Sequence, residues 1–96
     1  MDFALELSPA ARRDLKRLPP KIRKKIMFIY LPKIQEKPFE VGKPLQGALR
    51  GERCYRFGRK PEYRIVYYVE NEVITVTIIG TRENIYKQAR QRLRKE

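Results

Sequence analysis

Two arginines, Arg56 and Arg64, lie in the stretch Arg53 to Val69, RCYRFGRKPEYRIVYYV, which reads as two short strands around a turn containing glycine and proline. Tyr55 and Phe57 alternate with Cys54, Arg56 and Gly58. Tyr63, Ile65, Tyr67 and Val69 alternate with Arg64, Val66 and Tyr68. Side chains on a strand point to opposite faces with period two, so the aromatic and aliphatic set can enter a core while both arginines share the other face. Paired as a hairpin, the two guanidiniums become neighbours. Like charges side by side are unfavourable unless an anion sits between them, and the anion that suits two guanidiniums is a phosphate.

Composition agrees with an anionic partner. The 96 residues carry 23 Lys and Arg against 11 Asp and Glu, a formal charge of +12. Such a surface attracts polyanions or acidic proteins, and nucleic acid is favoured over a merely well-solvated lysine excess or a membrane surface. There is no histidine, which excludes His-based catalytic triads and His-ligated metal. The acidic residues are scattered and the one cysteine, Cys54, lies inside a strand, so neither a cofactor nor a metal is expected. Cys54 is expected to be a small, partly buried hydrophobe instead of a reactive thiol. The N-terminal MDFALELS alternates and lacks the features of a signal peptide, and no apolar run approaches the roughly 20 residues needed to span a bilayer. A cytoplasmic protein is expected.

The elements that must position the arginines follow from periodicity. Phe3, Leu5 and Leu7 alternate with Asp2, Ala4 and Glu6, a half-buried strand. Ser8-Pro9 then starts a helix, serine capping and proline at the first helical position, with Ala11, Leu15 and Leu18 on one face. Pro19-Pro20 breaks the chain and opens a second helix from about Lys21 to Glu36, with Ile22, Ile26 and Ile29, extended by Tyr30 and Ile34, as its apolar stripe. Pro32 conflicts with that helix and predicts a kink there or an early end near Tyr30. The two helices form an αα-hairpin. Residues 37–52 read as a long irregular loop, and Glu70-Asn71 as a tight turn before Val73–Ile79, a β-branched run that fits a central strand ended by Gly80. Thr81 to Glu96 returns to helical composition, strongly basic, with Ile85, Ala89 and Leu93 as a thin apolar stripe. The chain thus reads as one domain, residues 1–96, of α+β class: β-α-α-β-β-β-α, an antiparallel-rich small sheet with an N-terminal αα-hairpin packed on one face and a basic C-terminal helix.

The opening strand–helix–helix, the stretch YRFGRKPEYRIVYYV and the later IIGTRENIY together resemble the RelE/ParE superfamily of toxin–antitoxin toxins over nearly the whole chain. The residues that carry the resemblance are Arg56, Gly58, Tyr63-Arg64, Gly80, Arg82 and Tyr86. RelE-type members are small ribonucleases that cut mRNA in the ribosomal decoding site. ParE-type members share the fold and inhibit DNA gyrase. An antitoxin neutralises both. The resemblance implies that Arg56, Arg64, Arg82 and Tyr86 form the catalytic set. Some ribonuclease members carry a second lysine where this chain has Gly58, and Arg59 or Lys60 is the nearest substitute. The basic helix after Tyr86 adds Lys87 and Arg90, so Arg59, Lys60, Lys87 and Arg90 are the expected RNA contacts.

Metal-free cleavage of RNA proceeds by attack of a 2′-OH on its adjacent phosphate, which needs a proton acceptor, charge stabilisation and a proton for the departing 5′ oxygen. Arginine, with a pKa above about 12, is no base but stabilises developing phosphate charge. Tyrosine, ordinarily near a pKa of about 10, can be a base only where cations lower it. Such a site is slow on free RNA, and a ribosome that orients the substrate would supply rate by positioning. The plain alternatives are ordinary surface arginines, a tyrosine packed on the sheet, and Glu83 as a charge complementing the helix N-terminus. The expected function is therefore a type II toxin cleaving mRNA on the ribosome, monomeric when alone. Its expected partners are mRNA, rRNA and an acidic antitoxin that folds on binding. The rivals are a gyrase inhibitor and a non-catalytic member that binds only RNA or antitoxin.

Overall fold

Ser8 opens the first helix as expected: its Oγ accepts the Ala11 N–H at 3.1 Å, and Pro9 follows at the first helical position. The computed structural model describes residues 3–94, the side chains of Leu93 and Arg94 excepted. The stripe position Leu93, the strand position Asp2 and the terminal Lys95 and Glu96 therefore lie outside the described side chains. In order the elements are β1 (Ala4–Leu7), α1 (Pro9–Arg17), α2 (Pro20–Lys25), a π-helical segment (Ile26–Tyr30), α3 (Leu31–Glu36), α4 (Pro38–Val41), β2 (Lys43–Pro44), a 3-10 turn (Gly47–Leu49), β3 (Arg53–Phe57), β4 (Tyr63–Glu70), β5 (Val73–Thr81) and α5 (Arg82–Arg94).

Pro32 does not stop the second helix at Tyr30; the irregularity expected there is a π-helical turn. The backbone stays right-handed helical from Lys25 through Leu31, and the Leu31 N–H bonds to the Ile26 carbonyl, five residues back. A proline in a regular helix has no N–H to give and its ring crowds the carbonyl four residues earlier. Widening the preceding turn to π geometry relieves both, and the helix runs on to Glu36. The stretch 37–52 differs from a plain loop as well. It holds α4, the 3-10 turn and a fifth strand, β2, whose Lys43 and Pro44 pair with Cys54 and Arg53. Two residues of strand, one of them proline, leave almost no periodic signal, and proline is tolerated because β2 is an edge.

The sheet order is β1-β5-β4-β3-β2, with β1 parallel to β5 and every other pairing antiparallel. Asn71 and Glu72, both at positive φ (52° and 64°), join β4 to β5 as a two-residue hairpin turn whose twist suits the flanking strands. Ile65, Tyr67, Ile74, Val76 and Ile79 face the helical layer, against Ala11, Ile26, Leu31 and Ile34. On the opposite face Cys54, Val66 and Ile78 meet Leu49, Ile85 and Ala89. Each fully buried aliphatic contributes roughly 1.5–3 kcal/mol relative to exposure.

A bulge explains how one strand serves both layers. The register passes from Val66↔Ile78 to Tyr67↔Val76, so Thr77 is an extra residue in β5. The inserted residue puts Val76 and Ile79 on the helical face and turns Ile78 towards α5. Gly80 does not end the strand, which continues to Thr81; Gly80 is buried inside it, and a Cβ there would meet the Gln88 side chain at 2.7 Å. No helix among the described residues is long and apolar enough to cross a membrane.

Candidate functional site

Arg56 and Arg64 are direct partners in the β3–β4 register, as the alternation requires. Their surroundings differ. Arg56 is exposed, whereas Arg64 is only 8% exposed, in a central strand opposite Gly80 and beneath the start of α5. A charge that deep needs acceptors, and two are supplied. Glu62 Oε2 accepts from Arg64 Nε at 2.7 Å, and Tyr86 Oη accepts from Arg64 Nη1 at 3.2 Å. The guanidinium carbon also lies 6.0 Å from the centroid of the Tyr86 ring, at the edge of cation–π range. Burial is the largest single influence and pulls the Arg64 pKa down. The Glu62 hydrogen bond and charge, with smaller contributions from Cys54 and Tyr86, together exceed it, and the net displacement is upward.

The N-terminus of α5 brings in the other two residues. Arg82 follows β5 directly, and its backbone N–H donates to the Glu62 carbonyl at 3.0 Å, which satisfies one of the helix's unpaired donors and ties α5 to the β3–β4 turn. Its side chain is exposed. Tyr86 stands one helical turn on, four residues along the same side, with half its surface exposed. The hydrogen bond from Arg64 holds the Glu62 carboxyl below the usual carboxylate range, and the charges of Arg64, Arg56 and Arg82 lower it further. The four anticipated residues are therefore gathered on one end of the sheet around a carboxylate.

That carboxylate was missed. Glu62 sits two positions before Arg64, and residues i and i+2 of a strand share a face, so the spacing was there to be read. The other expected contacts divide. Arg59 and Lys60 are exposed in the turn between Gly58 (φ 79°) and Glu62, beside the cluster in sequence. Arg90 is exposed on α5. Lys87 turns away from the cluster into a shallow cleft of about 370 Å³ between α1 and α5, shared with Asp14, Arg17 and Gln91. Cys54 is buried on the same face as Arg64, and burial pushes its thiol pKa up despite the neighbouring arginines, as suits a packing residue. Tyr63 and Tyr67 are core residues: Tyr63 stacks on Phe57 at 5.4 Å, and the buried Tyr67 hydroxyl donates to the Pro38 carbonyl.

A second buried cluster anchors α5. Asp14 of α1, 3% exposed, accepts from the Ile79 N–H at 3.0 Å, from Gln88 Nε2 at 3.2 Å and from Arg92 Nη2 at 2.7 Å. Arg92 Nη1 donates to the carbonyl of the bulged Thr77 at 2.6 Å. With Ile85 and Ala89 in the core beneath it, this clamp fixes the helix that carries Tyr86.

A family model described as the ParE-like toxin of type II bacterial toxin–antitoxin systems matches residues 5–90. The chain belongs to that family. This toxin is 33% identical over 90 residues to Toxin RelG of Mycobacterium tuberculosis, covering 92% of this chain and 100% of that one. It is also 35% identical over 78 residues to Toxin RelE of the same organism, covering 80% and 76%. Among solved structures the toxin resembles a chain of the M. tuberculosis RelBE2 toxin–antitoxin complex, with TM-score 0.76, 27% identity and coverage of 85% and 100%. It likewise resembles a mutant of E. coli toxin RelE in the free state, with TM-score 0.70, 26% identity and coverage of 96% and 98%. The α+β sheet and helices of this toxin are thus those of the RelE/ParE superfamily.

Proposed function

We propose that this toxin is a metal-independent endoribonuclease that cleaves mRNA on the ribosome and so inhibits translation. The observation that carries the reading is the Arg64–Tyr86 contact, a buried guanidinium bonded to a half-exposed phenol at 3.2 Å, on an end of the sheet flanked by Arg56 and Arg82. In this reading the 2′-oxygen attacks the neighbouring phosphorus, the P–O5′ bond breaks, and the products are a 2′,3′-cyclic phosphate and a 5′-OH. Arg56, Arg64 and Arg82 offset charge building on the phosphoryl oxygens, the Tyr86 oxygen takes up the proton of the 2′-OH as base, and solvent water protonates the departing O5′. Arg59, Lys60 and Arg90 add phosphate contacts that weaken with salt, whereas Lys87, expected to join them, lines the cleft between α1 and α5. The ribosome supplies substrate orientation.

The partner that silences the toxin is a cognate acidic antitoxin. Two features support it: relatives solved as toxin–antitoxin complexes, and exposed Met27, Phe28, Ile29 and Phe39 in a region of chain rich in lysine, which suits an acidic amphipathic segment. The toxin alone is read as a cytoplasmic monomer.

Primer extension on an mRNA in a reconstituted translation system tests the reading, with Tyr86→Phe in parallel. New 5′ ends only in the presence of ribosomes, weakened by about 10²-fold or more in the variant, are expected. Unchanged cutting by Tyr86→Phe would keep the activity and remove the phenol from it. An absence of cuts, with loss of supercoiling by DNA gyrase, would favour the gyrase reading that the ParE-like family name suggests.

A further inference from the structure

We infer that Glu62 is the positioning residue of this site: by accepting from Arg64 Nε, it fixes the plane of the guanidinium so that the remaining donors meet the phosphate. The inference rests on the ribonuclease reading and adds a residue to it.

Arginine presents five N–H donors in one rigid plane, at the end of a chain with several free torsions. At Arg64 two of those donor positions are committed. Nε is held by Glu62 at 2.7 Å and Nη1 by Tyr86 at 3.2 Å. Among the described contacts Nη2 has no protein acceptor, and its two N–H groups, with the second N–H of Nη1, are the donors left for phosphoryl oxygens. Glu62 can do this because its own place is fixed. Its carbonyl accepts the Arg82 N–H at 3.0 Å, so a single residue ties together the turn, β4 and the first turn of α5. Its carboxylate is also the anion that offsets the repulsion between Arg64, its register partner Arg56, and Arg82.

Two other roles for a carboxylate here make different predictions. As a general base, Glu62 would be poorly suited, because its pKa is displaced downward by the Arg64 bond first and by the three arginine charges next. As a plug that RNA must displace, its removal would tighten substrate binding.

The test uses Glu62→Gln and Glu62→Ala, each checked for folding by thermal melting. A glutamine carbonyl still accepts from Nε, whereas alanine offers nothing. Ribosome-dependent cleavage by Glu62→Ala is expected to lose about 10–100-fold in kcat, with KM for the mRNA-loaded ribosome within about twofold, while Glu62→Gln keeps most of the rate. A Gln variant as slow as Ala would make Glu62 a reacting group and overturn the proposal. So would an Ala variant with wild-type kcat, or one with a sharply lower KM.

A second measurement does not depend on cleavage. In 15N–1H spectra the Arg64 Nε–H is expected as a slowly exchanging resonance in wild type and Glu62→Gln, and lost in Glu62→Ala. If the wild type never cleaves RNA but this pattern holds, the ribonuclease reading fails and the positioning of Arg64 stands. If the resonance survives in Glu62→Ala, Glu62 does not position Arg64, whatever the activity.

Discussion

Asp14–Arg92 and Glu62–Arg64 are carboxylate–arginine pairs with the same closest approach, 2.7 Å, in opposite settings. In the first the carboxylate is buried, its side chain 1% exposed, and it is saturated by a backbone amide, an amide side chain and a guanidinium. In the second the arginine is the buried partner, while the carboxylate is 28% exposed and accepts one side-chain bond, with three arginine charges acting on it. A saturated pair has nothing left to offer a ligand and serves to hold elements together. A pair with more cation than anion, opening to solvent through Tyr86, retains donors for an incoming anion. The same chemistry thus makes a clamp in one place and a reactive surface in the other, and the count of unspent donors decides which.

The largest effect should come from breaking the clamp. Asp14→Ala strands the Ile79 N–H and the Arg92 guanidinium, and should lower stability by about 3–5 kcal/mol, read from the urea midpoint. Arg64→Ala should do the reverse, cutting ribosome-dependent cleavage by about 10²–10³-fold while shifting the urea midpoint much less than Asp14→Ala does. Equal losses of stability in the two variants would erase the distinction between clamp and site.

Gly80 is where the two regions touch, since it pairs with Arg64 in register and lies under Gln88, which bonds Asp14. Gly80→Ala should push Gln88 aside at a cost of about 1–3 kcal/mol and reduce cleavage modestly, coupling both readouts in one variant. The smallest effect is a pH dependence. Because the Glu62 pKa is lowered in the folded state, its contribution is present above the ordinary carboxylate range and lost as pH falls through the lowered value. Between about pH 6 and pH 3 the wild type should therefore lose more stability than Glu62→Gln, compared by urea titration at each pH.

The sequence was most informative where periodicity is strict. Alternation in 53–57 and 63–69 placed Arg56 and Arg64 on one face, and Ser8-Pro9 marked the start of α1. It was least informative where a pairing spans the chain. Asp14 and Arg92 lie on different helices 78 positions apart, and nothing local announces their contact. Even so, Asp14 interrupts the stripe Ala11, Leu15, Leu18, and a lone carboxylate on an apolar face is a signal that it has a partner. The π-turn before Pro32, the two-residue β2 and the Thr77 bulge were hidden for another reason. Each is a local departure from a regular period, settled by how neighbouring layers pack and not by the residues' own preferences.

The parallel pairing of β1 with β5 also sets a timetable for folding. β3, β4 and β5 are joined by short turns and can find one another early. β1 must instead meet a strand 69 positions away, Ala4 against Val73, while α1 beside it in sequence lies on that same strand β5. Closing so long a loop costs entropy ahead of any reward, so the meander is expected to nucleate and the N-terminal arm to dock late. Substitutions in the Asn71–Glu72 turn should then act on the refolding limb of a chevron plot, and those in β1 or α1 on the unfolding limb.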